Sequence, residues 1–219
     1  YKYYSAGADG YYNEERAFDQ YSKNMVSKWG GTVYLTSAAT DFKAKNIIFE
    51  NSFNKYMTDE ELEDGVELAN IPSASPINVE RKSFTDVTSK ANTERAAAMI
   101  IEGNHAEFVG CSFLGSQDTL YTGGVGTNRS YFKNAFIEGN TDYIFGDGNV
   151  VFDNVTLNFA GYSTQAVGGY ITAAKDSAAH GYLFRNATVV ADPKYMQSPG
   201  FFGRPWGAKA KVTFMNTKL

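Results

Sequence analysis

A Phe-x-Asn signature that recurs along the chain narrows the fold more than any other feature. It stands at Phe132/Asn134, Phe152/Asn154, Phe184/Asn186 and Phe214/Asn216, with degenerate copies at Phe108/Gly110 and Ala44/Asn46. Successive spacings from Phe108 are 24, 20, 32 and 30 residues. Self-similarity at such a period marks a solenoid, in which each unit buries its apolar face only against its neighbours. From Gly31 onward the units are short β-rich runs broken by Gly, Asn, Asp and Ser, without helical patterns between them. The expected fold class is therefore all-β, a right-handed parallel β-helix, either complete or truncated at its ends. Inward Phe and Ile side chains would stack along its axis. The Asn residues would form a ladder at the strand bend, with amides bonding one coil to the next. A β-sandwich would accept strands of this length but leaves the Asn register unexplained.

Taken in order, Tyr1–Trp29 reads as loops with a short helix near Glu14–Tyr21, and Thr32–Thr36 and Ala44–Glu50 read as strands. Residues 58–90 break the pattern with DEELEDGVE (Asp59–Glu67) and two prolines, Pro72 and Pro76, and read as a loop inserted between coils. The acidic run lacks the alternating ligand positions of a calcium loop, so it is read as a solvated face. With 219 residues and 43% hydrophobic composition, the chain can bury a core as one domain, 1–219. Its 20 basic and 24 acidic residues leave a charge of −4 with no basic block, which disfavours nucleic acid and anionic membrane surfaces as partners. No run of about 18 apolar residues suggests a membrane span. Cys111 is alone, so the chain has no internal disulfide, and no Cys/His cluster has zinc spacing. His105 and His180 are read as ordinary structural or surface residues. The expectation is a monomer, alone or within a larger multidomain protein.

Two segments carry candidate chemistry at matched places in the repeat. GSQDTLY (Gly115–Tyr121) holds Asp118 ten residues after Phe108, and GNTDYIFGDG (Gly139–Gly148) holds Asp142 ten residues after Phe132. Equal offsets in consecutive coils would stack the two carboxylates about 4.8 Å apart. Like charges at that range do not both ionise easily, so one becomes an acid and the other a nucleophile or base. The plainer alternative is that both aspartates cap turns beside Gly. GFFGRPWG (Gly200–Gly207) adds Arg204, whose guanidinium can pair bidentately with a carboxylate, and Trp206, a flat face of the kind that stacks on a sugar ring. An Arg-Pro-Trp turn could instead close a β-helix end with its Trp in the core.

GSQDTLY, TDYIFGDG and FGRPW, in this order and on this repeat, resemble the signature segments of pectin methylesterases (pectinesterases, carbohydrate esterase family 8). The similarity runs from about Lys28 to Leu219. It implies a right-handed parallel β-helix that hydrolyses the methyl esters of galacturonate in pectin, releasing methanol and pectate, without metal or organic cofactor. By motif position it implies Asp142 as nucleophile and Asp118 as general acid, then base. It makes Arg204 the partner that orients and ionises Asp142, and Gln117 a donor to the oxyanion. Trp206 would line the sugar cleft, and Tyr121 and Phe145 match positions that contact substrate. A departure lies at TERAAAM (Thr93–Met99), where the family reads Gln-Ala-Val-Ala-Leu and its Gln helps form the oxyanion hole. Counting back from Cys111 puts Arg95 at that Gln, and a shift of one residue would put Glu94 there. The family's Gly-x-Tyr-x-Glu opening is not recognisable.

The resemblance also implies methyl-esterified homogalacturonan as partner and a secreted, extracellular setting. An acidic protein suits a methylated polymer better than a polyanion. Three other readings stay open: an esterase or thioesterase on the same scaffold, a non-catalytic pectin-binding β-helix, and a polysaccharide lyase. Of the three Asn-x-Ser/Thr sequons at Asn128, Asn154 and Asn186, two fall on the expected Asn ladder and are expected to be buried.

Overall fold

The computed structural model describes residues 31–51, 97–160, 169–191 and 200–219, together with the backbone of 67–68, 79–81 and 89–90. The helix expected near Glu14–Tyr21, most of the acidic run Asp59–Glu67, and Glu94 and Arg95 lie outside the described residues.

The chain winds in coils of up to three short strands. The first holds β1 (Gly31–Leu35), β2 (Lys43–Lys45) and β3 (Ile48–Glu50). Between it and the second lie β4 (Glu67–Leu68), β5 (Val79–Arg81) and β6 (Ser89–Lys90). The second holds β7 (Ala97–Ile101), β8 (Ala106–Val109) and β9 (Ser112–Leu114), and the third β10 (Leu120–Thr122), β11 (Arg129–Lys133) and β12 (Phe136–Gly139). β13 (Ile144–Gly146), β14 (Asn149–Asp153) and β15 (Thr156–Phe159) make the fourth, and β16 (Tyr170–Ala174), β17 (Tyr182–Arg185) and β18 (Thr188–Ala191) the fifth. β19 (Phe201–Gly203) and β20 (Val212–Met215) belong to the sixth. Equivalent strands pair in parallel from coil to coil, giving three sheets in the orders β1-β7-β10-β13-β16-β19, β2-β8-β11-β14-β17-β20 and β3-β9-β12-β15-β18. This is the expected parallel β-helix.

The repeat read from the sequence is the register of the second sheet. Phe108, Phe132, Phe152, Phe184 and Phe214 are successive partners in it. Their rings stack at centroid separations of 4.8, 4.9, 4.4 and 4.4 Å. A second inward column on the third sheet runs Phe49, Phe113, Ile137, Leu157, and the two columns meet edge to face at Phe108–Phe113. Flat rings fit a column repeating at the inter-strand spacing, so one Phe per coil continues the stack.

The Asn of the signature marks the corner between the second and third sheets. Asn46, Asn134, Asn154, Asn186 and Asn216 all have φ between 53° and 57°, a left-handed turn that Asn adopts more readily than other side-chain-bearing residues. Gly110 takes the same corner at φ 65°, and the Asn46 amide oxygen lies 2.4 Å from where a Cβ would stand. The ladder bonds form: Asn154 Nδ2 donates to Asn134 Oδ1 at 2.8 Å, and Asn216 Nδ2 to Asn186 Oδ1 at 3.3 Å.

Two readings of the sequence need correction. Ala44–Glu50 is two strands, β2 and β3, because Asn46 turns the chain between them. Phe132 is the fourth residue of β11 and Phe108 the third of β8, so Phe-x-Asn marks where a strand ends. The ladder sequons Asn154 and Asn186 are exposed, not buried, because the amides bond sideways to neighbouring coils at an outer corner. Within 58–90, β4, β5 and β6 pair antiparallel in a small sheet that joins none of the parallel sheets among the described residues.

Candidate active site

The corner that leads each coil into the first sheet sets the two aspartates. Leu120 and Tyr121 pair with Ile144 and Phe145, so Asp118 and Asp142, each two residues ahead of its strand, hold equivalent positions on adjacent coils. The Asp118 N–H donates to the Thr141 carbonyl at 3.1 Å, which ties the two corners together. Both aspartates have left-handed backbone, φ 64° and 52°. Beneath them lies a second pair at the same offset, Ser116 and Asn140, both buried. Asn140 Nδ2 donates to Ser116 Oγ at 3.1 Å and its N–H to the Ser116 carbonyl at 2.9 Å. The buried Thr119 hydroxyl adds a bond to the Glu138 carbonyl at 2.9 Å. The carboxylates thus stand on a satisfied, water-excluded polar base, which holds a corner rigidly.

Arg204 approaches from the other side. It follows β19 and is registered by its N–H on the Thr172 carbonyl at 2.9 Å. Gly203 makes that approach possible, since a Cβ there would lie 2.0 Å from Thr172 Oγ1. The guanidinium sits 4.7 Å above the Tyr170 ring and forks onto Asp142, Nε to Oδ1 at 2.8 Å and Nη2 to Oδ2 at 2.6 Å. These hydrogen bonds, and then the charge of Asp142, push the Arg204 pKa further up.

A cleft of about 450 Å³ opens at this point, lined by Gln117, Asp118, Asp142, Phe145, Ala173, Arg204, Pro205 and Trp206. Six of the residues singled out in the sequence therefore meet in one place. Asp118 is buried at 4% exposure, and the side chain of Asp142 is 14% exposed. Among the described residues the Gln117 amide has no hydrogen-bond partner, so it is available to a ligand. Trp206 is 41% exposed, which excludes the reading that places it in the core. Its ring centroid is 6.3 Å from that of Phe145, which is 5.1 Å from that of Tyr121. Phe145 is only 2% exposed and serves as the base of this row. Tyr121 stands behind it, outside the cleft lining, its pKa pushed up to about 12 by burial and then by the charges of Asp147 and Glu102. Arg95 lies outside the described residues.

Sequence reasoning missed Ala173 and assigned no role to Pro205, since neither side chain carries chemistry. Ser116 and Asn140 were findable, since they repeat at the offset of the aspartates. His105 pairs with Asp41 at an exposed corner, 3.4 Å between Nδ1 and Oδ1, and neither histidine lines the cleft. No group of three His, Cys, Asp or Glu among the described residues could hold a metal ion. The cleft offers a carboxylate gripped by a guanidinium, a second buried carboxyl one coil away, a free amide and an aromatic wall. Such a set can attack a carbonyl, donate a proton to a leaving group and bind an oxyanion.

Comparison with known proteins agrees. The chain is 33% identical over 144 residues to a pectinesterase of Ralstonia solanacearum, covering 62% of this chain and 36% of that protein. It is 31% identical over 218 residues to a probable pectinesterase A of Aspergillus fumigatus, covering 96% and 60%. Among solved structures, pectin methylesterase PemA from Erwinia chrysanthemi superposes with a TM-score of 0.64 at 25% identity, covering 87% of this chain and 55% of that one. A pectin methylesterase in complex with a hexasaccharide superposes at 0.61 and 25% identity, covering 89% and 57%. The chain thus spans between about a third and three fifths of the length of these relatives. The family model described as Pectinesterase matches residues 74–219, two thirds of the sequence. On that match this chain belongs to the pectinesterase family.

Proposed function

We propose that the protein hydrolyses methyl esters of galacturonate in pectin, releasing methanol. The observation that carries this reading is the bidentate Arg204–Asp142 pair beside Asp118 in one cleft. The guanidinium occupies the outer edge of the Asp142 carboxylate and fixes its plane. The guanidinium is committed to Asp142, so the proton that the reaction needs is assigned to the buried Asp118.

In the first half-reaction an Asp142 oxygen adds to the ester carbonyl carbon, and the charge that develops on the carbonyl oxygen is met by the Gln117 amide. The tetrahedral intermediate expels methoxide, which leaves as methanol with the proton of Asp118 and an acyl–Asp142 anhydride behind it. Water then adds to the acyl carbon while Asp118, now a carboxylate, takes its proton. Collapse frees the galacturonate carboxylate and restores Asp142. The sugar chain would lie against Trp206, as a flat apolar ring suits the face of a pyranose. The polymer is met outside the cell, so the reading includes secretion.

Methanol release from highly esterified pectin tests it. Asp142→Asn is expected to lower the rate by more than about 10³-fold, and Asp118→Asn by about 10²–10⁴-fold. Near-normal turnover in either variant would remove the roles assigned here.

A further inference from the structure

We propose that Tyr170 is a positioning residue for the reaction, its ring supporting the Arg204 guanidinium while its backbone braces the Asp142 corner. One residue thus holds both members of the fork in place. This rests on the pectinesterase reading and adds to it a residue outside the cleft that sets kcat.

Tyr170 opens β16 and stands three residues ahead of Ala173. Asp118 and Asp142 stand three ahead of Tyr121 and Phe145, and Tyr121, Phe145 and Ala173 are successive partners in the first sheet. The column of aspartates therefore continues on the next coil as Tyr170, and on the one after as Phe201, which pairs with it. A third carboxylate at that place would compete with Asp142 for the guanidinium and repel the other two. An aromatic face attracts the cation and takes none of its N–H donors.

Backbone and ring act on the two partners separately. The Tyr170 N–H donates to the Asn140 carbonyl at 2.9 Å, and the Tyr170 carbonyl accepts the Tyr143 N–H at 3.4 Å, so the chain is bonded on both sides of Asp142. The guanidinium carbon lies 4.7 Å from the centre of the ring. Phe201 stacks on the same ring at 5.3 Å with the planes 20° apart, which limits its rotation. Tyr170 itself does not line the cleft. Arg204 is half exposed, and its two bonds to Asp142 leave the joined pair free to swing as one plane. The ring under the guanidinium removes that freedom, so the attacking oxygen of Asp142 keeps its aim.

The test compares the unaltered chain with Tyr170→Phe, which keeps the ring, and Tyr170→Leu, which keeps apolar bulk without it. Methanol release from highly esterified pectin gives kcat and KM. Exchange of the Arg204 Nε–H with water is followed by NMR, its signal assigned by its loss in Arg204→Lys. Tyr170→Leu is expected to lower kcat about fivefold with KM unchanged, and to speed the exchange by a similar factor. Tyr170→Phe should change each by less than about twofold. A nuclear Overhauser contact between that Nε–H and the Tyr170 ring is expected in the unaltered chain, where no variant has to fold, and its absence overturns the proposal. Equal losses in the two variants, a rise in KM with kcat kept, or unchanged exchange in Tyr170→Leu overturn it as well. Absence of methanol release from the unaltered chain would count against the pectinesterase reading alone, because the exchange and the Overhauser contact are read without substrate.

Discussion

Asp142 and Arg204 meet across 62 residues of sequence through four atoms, and the geometry of those four atoms is what the proposed chemistry uses. Arg204→Lys tests this. A lysine keeps the charge but makes one bond where the guanidinium makes two, and it leaves the carboxylate free to rotate. Loss of one charge-assisted bond is worth about 1.5–3 kcal/mol, so kcat is expected to fall roughly 10- to 100-fold. The melting temperature should hardly move, because the Arg204 side chain is half exposed. A melting temperature that falls as steeply as kcat would make Arg204 a structural residue. At this scale the sequence was most legible where a residue type carries its own chemistry. Asp118, Asp142 and Arg204 could be picked out because carboxyls and guanidinium groups beside Gly at repeated offsets have few uses. Ala173 could not, since an alanine within a strand is ordinary until its place at the cleft wall is known.

Between residue and molecule stands the coil, whose corners are set by Asn in left-handed backbone. That conformation costs a residue with a Cβ about 1–2 kcal/mol, and Gly or Asn much less. Asn154→Ala is therefore expected to destabilise the chain by about 1–2 kcal/mol, and Asn154→Gly by well under 1 kcal/mol, as read by urea unfolding. Equal losses would mean that the bond to Asn134, not the backbone, is what Asn154 supplies. The same requirement explains what the sequence revealed of the fold. A corner that admits only Asn or Gly prints a period into the chain, and one Phe per coil prints a second, so the solenoid and its register could be read. Strand limits could not. Ala44–Glu50 has the composition of one strand, and only the φ of 57° at Asn46 divides it. The exposure of the ladder was missed because an amide satisfied by its neighbours looks buried when only its partners are considered.

For the molecule as a whole, stacking coils encloses side chains that water never reaches, and among the described residues two of them are tyrosines. Tyr182 is fully buried with its hydroxyl bonded to Thr122 Oγ1 at 2.9 Å and to the Gly146 carbonyl at 3.1 Å. Tyr143, next in sequence to Asp142, is equally buried, but its hydroxyl has no partner. Burial pushes both pKa values above the ordinary phenol range, and Tyr34 and Tyr121 are pushed up to about 12. Each of these groups binds its proton more tightly folded than unfolded. Their contribution to stability is complete below the unfolded value near pH 10 and is lost as pH rises beyond it. Each contributes a slope of about −1.4 kcal/mol per pH unit between its two pKa values. Removing either buried hydroxyl should lessen the alkaline slope equally, yet the two substitutions should differ at neutral pH. Tyr182→Phe leaves the Thr122 hydroxyl without its partner, while the Gly146 carbonyl keeps the Lys175 N–H, and is expected to cost about 1–2 kcal/mol at pH 7. Tyr143→Phe removes a polar atom that nothing satisfies and should leave stability at pH 7 unchanged or raised by about 1 kcal/mol. Urea titrations at pH 7 and at steps from pH 10 to 12 measure both effects, and a Tyr143→Phe variant less stable than the parent at pH 7 would show that its hydroxyl has a partner after all.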